Sequence, residues 1–139
     1  MTVADDTLYM RRALELAQRA REEGEVPVGC VVVKEGKIIG EGWNRPIAAA
    51  DPTAHAEIQA MRVAAGALKN YRLAGAALYV TLEPCEMCLG AMFHARIARA
   101  VFGATDPKKR ILKSQTTVEG GLLAAECGAI LSEFFAARR

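Results

Sequence analysis

Residues Ala77 to Leu82 form a nearly unbroken apolar run, Ala-Leu-Tyr-Val-Thr-Leu, that stops at Glu83-Pro84. A strand with one wet face alternates polar and apolar residues, and this run does not. It therefore reads as a strand buried on both faces, at the centre of a sheet covered by helices on each side. The chain has 139 residues, 52% of them hydrophobic, which is one domain by length (1–139) with enough apolar surface for a core of its own.

The flanking segments fit that frame. Leu8 to Glu22 carries Tyr9, Ala13, Leu16, Ala17 and Ala20 at helical steps, with Asp5, Asp6 and Thr7 offering caps and Gly24 closing the helix. Cys30–Lys34 and Lys37–Trp43 read as strands joined by a two-residue turn at Glu35-Gly36. Asn44 to Asp51 is a loop before a helix over about Thr53 to Ala65. A helix over about Pro84 to Ala95, strands at Ala100–Ala104 and, more weakly, Thr116–Glu119, and a helix over Leu122–Ala137 follow. The succession predicts an α/β sandwich, with helices packed on a mixed sheet.

No stretch approaches the ~18 consecutive apolar residues of a membrane span. Met1 to Thr7 is polar and acidic, unlike a secretory signal. The expectation is a cytoplasmic protein with reduced cysteines. Cys30 and Cys127 sit among apolar residues and read as buried, inert thiols. The net charge is +2, so basic character is local: Lys108, Lys109, Arg110 and Lys113 form one group, Arg138 and Arg139 another. Each is a solvated face or a surface that contacts phosphate.

Two segments concentrate the chemistry: Thr53-Ala54-His55-Ala56-Glu57 and Leu82-Glu83-Pro84-Cys85-Glu86-Met87-Cys88. Both lie where the chain passes into a helix. Cys85 and Cys88, spaced i, i+3, share one side of a first turn. The positive helix end favours thiolate there. Two thiolates and an imidazole suit zinc, and His55 can supply the imidazole if both helices start at the same edge of the sheet. Three protein donors leave a fourth position for water, unlike a closed structural site. Glu57 is badly placed to join His55 as a ligand and well placed to move a proton between water and a leaving amine. A thiol redox pair or a structural zinc site would also explain Cys-x-x-Cys, but neither gives a role to His55 and Glu57. His-x-Glu followed by Pro-Cys-x-x-Cys is the established signature of nucleobase deaminases.

On these motifs the chain resembles the cytidine deaminase superfamily and, within it, the bacterial deaminases that act on adenosine in tRNA. Glu25-Val26-Pro27-Val28-Gly29, Gly40-Glu41-Gly42-Trp43-Asn44-Arg45-Pro46, Asn70-Tyr71-Arg72-Leu73 and Val101-Phe102-Gly103-Ala104 extend the similarity beyond the signature. The resemblance implies a three-layer α/β/α sandwich with a five-stranded mixed sheet in the order 2-1-3-4-5. It implies one Zn2+ on His55, Cys85 and Cys88, with Glu57 as proton shuttle. It also implies substrate contacts from Asn44, the Ala56 N–H and Asp106. Adenosine would become inosine in an RNA single strand such as the tRNA anticodon loop. A homodimer is implied too, with Met87, Met92 and Phe93 available for an interface or for the core.

The run from Asp106 to Thr116 is shorter than the family pattern. A parallel crossover with a full helix needs at least ~10–12 residues, so the fifth strand here can be parallel, antiparallel, displaced or lost. The segment borders the pocket mouth, and the last helix is less basic than the family leads one to expect. Deamination of single-stranded DNA or of a free base (guanine or cytosine), an engineered compact variant, and a non-catalytic zinc fold are therefore the competing readings.

Overall fold

The computed structural model describes residues 3–107 and 116–138. Helix α1 (Val3–Glu22) precedes strands β1 (Gly29–Lys34) and β2 (Lys37–Trp43). Helix α2 (Ala56–Leu68), strand β3 (Ala77–Leu82), helix α3 (Glu86–Ala95), strand β4 (Arg99–Ala104), strand β5 (Thr117–Glu119) and helix α4 (Ala124–Ala136) follow. The basic group at Lys108, Lys109, Arg110 and Lys113 lies outside the described residues, as does Arg139.

The strands form one sheet in the order β2-β1-β3-β4-β5. β1 is antiparallel to β2 and β3, whereas β3, β4 and β5 run parallel. The short connection thus keeps β5 parallel, from Arg99↔Thr117 to Val101↔Glu119. The turn between β1 and β2 has positive φ at both central residues, Glu35 (52°) and Gly36 (74°). This handedness matches the twist of paired strands.

Alternation along the central strands feeds two cores. Cys30 and Val32 of β1, Leu78 and Val80 of β3, and Ala100 and Phe102 of β4 face α2 and α3. Val31, Val33, Tyr79 and Val101 face the opposite layer with Met10, Ala13 and Leu16 of α1 and Cys127 of α4. The result is the expected α/β/α sandwich. β2 carries glycines where α2 crosses it: a Cβ on Gly42 would stand 2.5 Å from both Ala56 O and Ala60 N. The missing side chain lets the helix backbone rest directly on the strand.

All four helix starts and the end of α2 differ from the sequence reading by two residues or more; α2 runs on to Leu68, and α4 starts at Ala124 rather than Leu122. α1 begins at Val3, so Asp5 and Asp6 lie in its first turn rather than capping it. Asp6 is drawn across the molecule instead: it accepts hydrogen bonds from Tyr79 Oη (2.6 Å) and from both terminal nitrogens of Arg99 (2.9 and 2.8 Å). α2 and α3 begin later than expected, because His55 and Cys85 are extended N-cap residues with ψ of 155° and 171°.

Candidate metal centre and active site

β3 is the central strand and α3 follows its C-terminal end, while α2 leans on β2 and β1 beside it. Both helices therefore open at the same edge of the sheet, where the strands of open α/β folds present their ligands. His55 caps α2, Cys85 caps α3, and Cys88 lies one turn into α3. The Nδ1 of His55 is 3.6 Å from Cys85 Sγ and 3.6 Å from Cys88 Sγ. All the donor atoms lie within 4.8 Å of one another. Bonds of about 2.3 Å to sulfur and 2.0–2.1 Å to nitrogen, at the tetrahedral angle, place S and N ~3.6 Å apart. The donor set thus fits zinc in both chemistry and spacing.

The two thiols are coupled. The hydrogen bond from Cys88, followed by that from His55, brings the Cys85 thiol down to about 3. The same hydrogen bond pushes Cys88 up, with burial and the nearby Glu57 adding to the rise. A metal ion held by Cys85 and Cys88 would take the place of the shared proton.

Glu57 is 4% exposed and hydrogen-bonds the Cys88 thiol, so its carboxylate stands beside the donor triad. Cys30, behind it on β1, is fully buried, and its thiol is pushed well up by burial and then by Glu57. It is inert, as is Cys127, whose thiol burial pushes up to about 11.

Asn44 is the first residue beyond β2. Its Oδ1 accepts the N–H of Ala56 at 2.8 Å. The Ala56 N–H, expected to face a base, is thus already engaged, and Asn44 satisfies one of the orphan donors of α2. Asp106 lies two residues past β4, and its N–H donates to Glu83 Oε1 at 2.9 Å. Glu83 is buried, next but one to Cys85. Asn44 and Ala56 thus adjoin His55, whereas Asp106 is tied by one hydrogen bond to Glu83, two residues before Cys85.

Two buried carboxylates escaped the sequence reading: Glu83, and Glu25, which accepts hydrogen bonds from the Ile47 and Ala48 N–H groups. Each is an acidic residue among apolar neighbours (Glu25-Val26-Pro27-Val28 and Leu82-Glu83-Pro84). That setting was the available sign that a carboxylate would be buried and bonded.

An α/β/α sandwich with two cysteines, one histidine and a buried glutamate at its helix starts defines a zinc hydrolase of the deaminase class. Residues 3–104 match the cytidine and deoxycytidylate deaminase zinc-binding region, and the chain belongs to this family. It is 50% identical to a tRNA-specific adenosine deaminase of Haemophilus influenzae, covering 96% of this chain and 85% of the relative. It is 42% identical to one of Bacillus subtilis, covering 96% and 90%. A structure from work on A-to-I editing by tRNA:A34 deaminases at the wobble position superposes with a TM-score of 0.85 at 43% identity, covering 90% of this chain and 99% of the other. A guanine deaminase from Nitrosomonas europaea shares the fold at 27% identity and a TM-score of 0.85, covering 94% and 84%.

Proposed function

We propose that residues 1–139 act as one deaminase domain that converts adenosine to inosine in RNA, with the wobble position of a tRNA anticodon loop as the target. The observation that carries this choice of substrate is the 50% identity, over 96% of the chain, to a relative named for it. The guanine deaminase of the same fold stands at 27%.

His55, Cys85 and Cys88 hold the metal. Zinc in such a site supplies Lewis acidity and lowers the pKa of water towards neutrality. The protein supplies the remainder. Asn44 Oδ1 is occupied by Ala56, which turns the amide Nδ2–H2 group towards a ring nitrogen of the base. Ala56 thus acts through Asn44. Asp106, held by Glu83, faces the ribose or a flanking nucleotide. Glu57 takes a proton from the attacking water and delivers it to the exocyclic nitrogen. The C–O bond forms first and makes the attacked ring carbon tetrahedral; once the exocyclic nitrogen is protonated the C–N bond breaks, ammonia leaves and the hydroxyl proton passes to the ring nitrogen.

The enzyme works in the cytoplasm as a homodimer. Among the described residues no helix is long and apolar enough to cross a membrane. Met87 and Phe93 are exposed, whereas Met92 is fully buried and belongs to the core. Beside them a groove of 380 Å³ between α2 and α3, lined by Met61, Tyr71, Leu73 and Ala91 among others, is almost wholly apolar. Sedimentation equilibrium should give twice the chain mass at micromolar concentration; a monomer there rejects the dimer.

The substrate is tested with an anticodon stem-loop carrying adenosine at the wobble position. Inosine and ammonia should form in equal amounts, and the rate at subsaturating RNA should fall steeply as salt rises. Ammonia from free guanine or cytosine at a salt-independent rate, with the stem-loop unchanged, would identify a free-base deaminase instead.

A further inference from the structure

The loop between Asn44 and Ala54 leaves β2 and returns to α2 beside the donor triad. Its base is closed by hydrogen bonds from Arg45 N to Ala54 O (3.0 Å) and from Asn44 N to Val28 O (3.1 Å). The backbone bonds of its tip close within the loop itself, from Ala49 N to Arg45 O (2.8 Å), Ala50 N to Ile47 O (3.1 Å) and Asp51 N to Pro46 O (3.0 Å), and so shape the tip without tying it to the body of the fold. Ile47, Ala48, Ala49 and Ala50 are all exposed, and Ile47 is 75% so. Ala50 holds a left-handed φ of 49°, which an alanine adopts only when its surroundings enforce it. Apolar burial therefore cannot be what holds the tip in place.

Glu25 reaches the tip from the other side. α1 ends in a Schellman turn at Gly24 (φ 79°), with the Gly24 N–H donating to Arg21 O and the Glu25 N–H to Ala20 O, both at 3.0 Å. The turn points the chain inward and leaves Glu25 only 2% exposed. Its carboxylate accepts the N–H of Ile47 (3.2 Å) through one oxygen and that of Ala48 (2.8 Å) through the other. A carboxylate that far from water demands strong donors, and here two consecutive backbone amides provide them. The two bonds tie the loop tip to the helix α1 terminus, and the loop's first residue is Asn44, whose amide touches Ala56 between His55 and Glu57.

We infer that Glu25 is a positioning residue for deamination: it acts through the loop, fixing Asn44 and the exposed tip as one wall of the pocket. The inference rests on the reading of the triad edge as the substrate pocket. It makes the mouth of the site depend on a side chain that touches neither metal nor base.

The test uses the zinc-loaded full chain with E25Q and E25D. A glutamine keeps the shape but sets its amide N–H2 against one of the two backbone donors. An aspartate is too short to serve both. Amide hydrogen exchange reads the tether without reference to any substrate: Ile47 and Ala48 should exchange at least ~10-fold faster in E25Q, with one zinc per chain retained. On the anticodon stem-loop, or on whichever base the parent chain deaminates, kcat/KM should fall ~10- to 100-fold, as misplaced binding groups of about 1 Å predict. E25D should lie between E25Q and the parent. Exchange at Ile47 and Ala48 unchanged in E25Q, or kcat and KM both within twofold of the parent, would overturn the inference. Should E25Q fail to fold, E25D decides by the same readouts: partial loss supports it and parental behaviour overturns it. A parent chain inert on RNA counts against the proposed substrate alone, because the exchange measurement still reports on Glu25.

Discussion

Asp6 shows what a single side chain contributes when it bridges layers. Its carboxyl is held below the ordinary range, first by the hydrogen bonds from Arg99 and then by Tyr79, against a burial effect in the other direction. Arg99 also reaches Glu119 at 2.6 Å, so one guanidinium joins α1, β4 and β5. A depressed carboxyl pKa stabilises the fold fully above its unfolded value of ~3.9, and that stability is lost as pH falls through the folded value. Asp6→Asn should cost about 1.5–3 kcal/mol at pH 7 in urea unfolding, the range for charged hydrogen bonds. The difference should shrink as the pH approaches 2; a penalty independent of pH would show that the charge is not its source. No feature of the local sequence marks this pair, since the partners are 93 residues apart. The triad was legible for the opposite reason: its residue types and spacing are constrained by the metal, and spacing is visible in a sequence. Glu25 and Asp6 do their work through contacts that only the fold creates.

Among the elements, β3 and the β1–β2 hairpin were legible to the residue or nearly so. A continuous apolar run bounded by Glu83-Pro84 has few alternatives, and Glu35-Gly36 suits a turn that requires positive φ twice. The starts of α2 and α3 were not, because the ligands His55 and Cys85 are kept extended at the N-cap where helical propensity favours one more turn. The parallel pairing of β5 also lay beyond the sequence. It is registered by contacts such as Thr117 N to Ala98 O (3.2 Å) and Thr116 Oγ1 to Ile97 O (2.9 Å), which the length of the connection does not reveal. The seat of α2 on β2 carries a prediction at this scale. In Gly42→Ala the new methyl meets the backbone of Ala56 and Ala60, and overpacking of this kind costs about 1–3 kcal/mol. Because His55 is the N-cap residue of α2, the same variant should bind zinc more weakly, read by competition with a chromophoric chelator. Unchanged affinity together with lost stability would separate the packing of α2 from the geometry of the metal site.

At the scale of the whole molecule, the sheet is a device for bringing two helix starts to one edge. β3 delivers Cys85 and Cys88 directly, the antiparallel β1 and β2 bring α2 and His55 alongside, and the two cores fill the space on each face. Buried carboxylates then fasten the adjoining loops: Glu25 holds the one after β2 and Glu83 the one after β4. In the proposed mechanism the chemistry rests on a small group, His55, Cys85, Cys88 and Glu57, and the rest of the chain fixes their positions. The most direct measurement compares the parent chain with Glu57→Gln for zinc content and for ammonia released from the anticodon stem-loop. The account predicts one zinc per chain in both, and turnover lower by ~10²–10⁴-fold in the variant. A zinc-loaded Glu57→Gln protein that turns over at the parental rate, or a parent chain that keeps its activity after the metal is stripped, would contradict it.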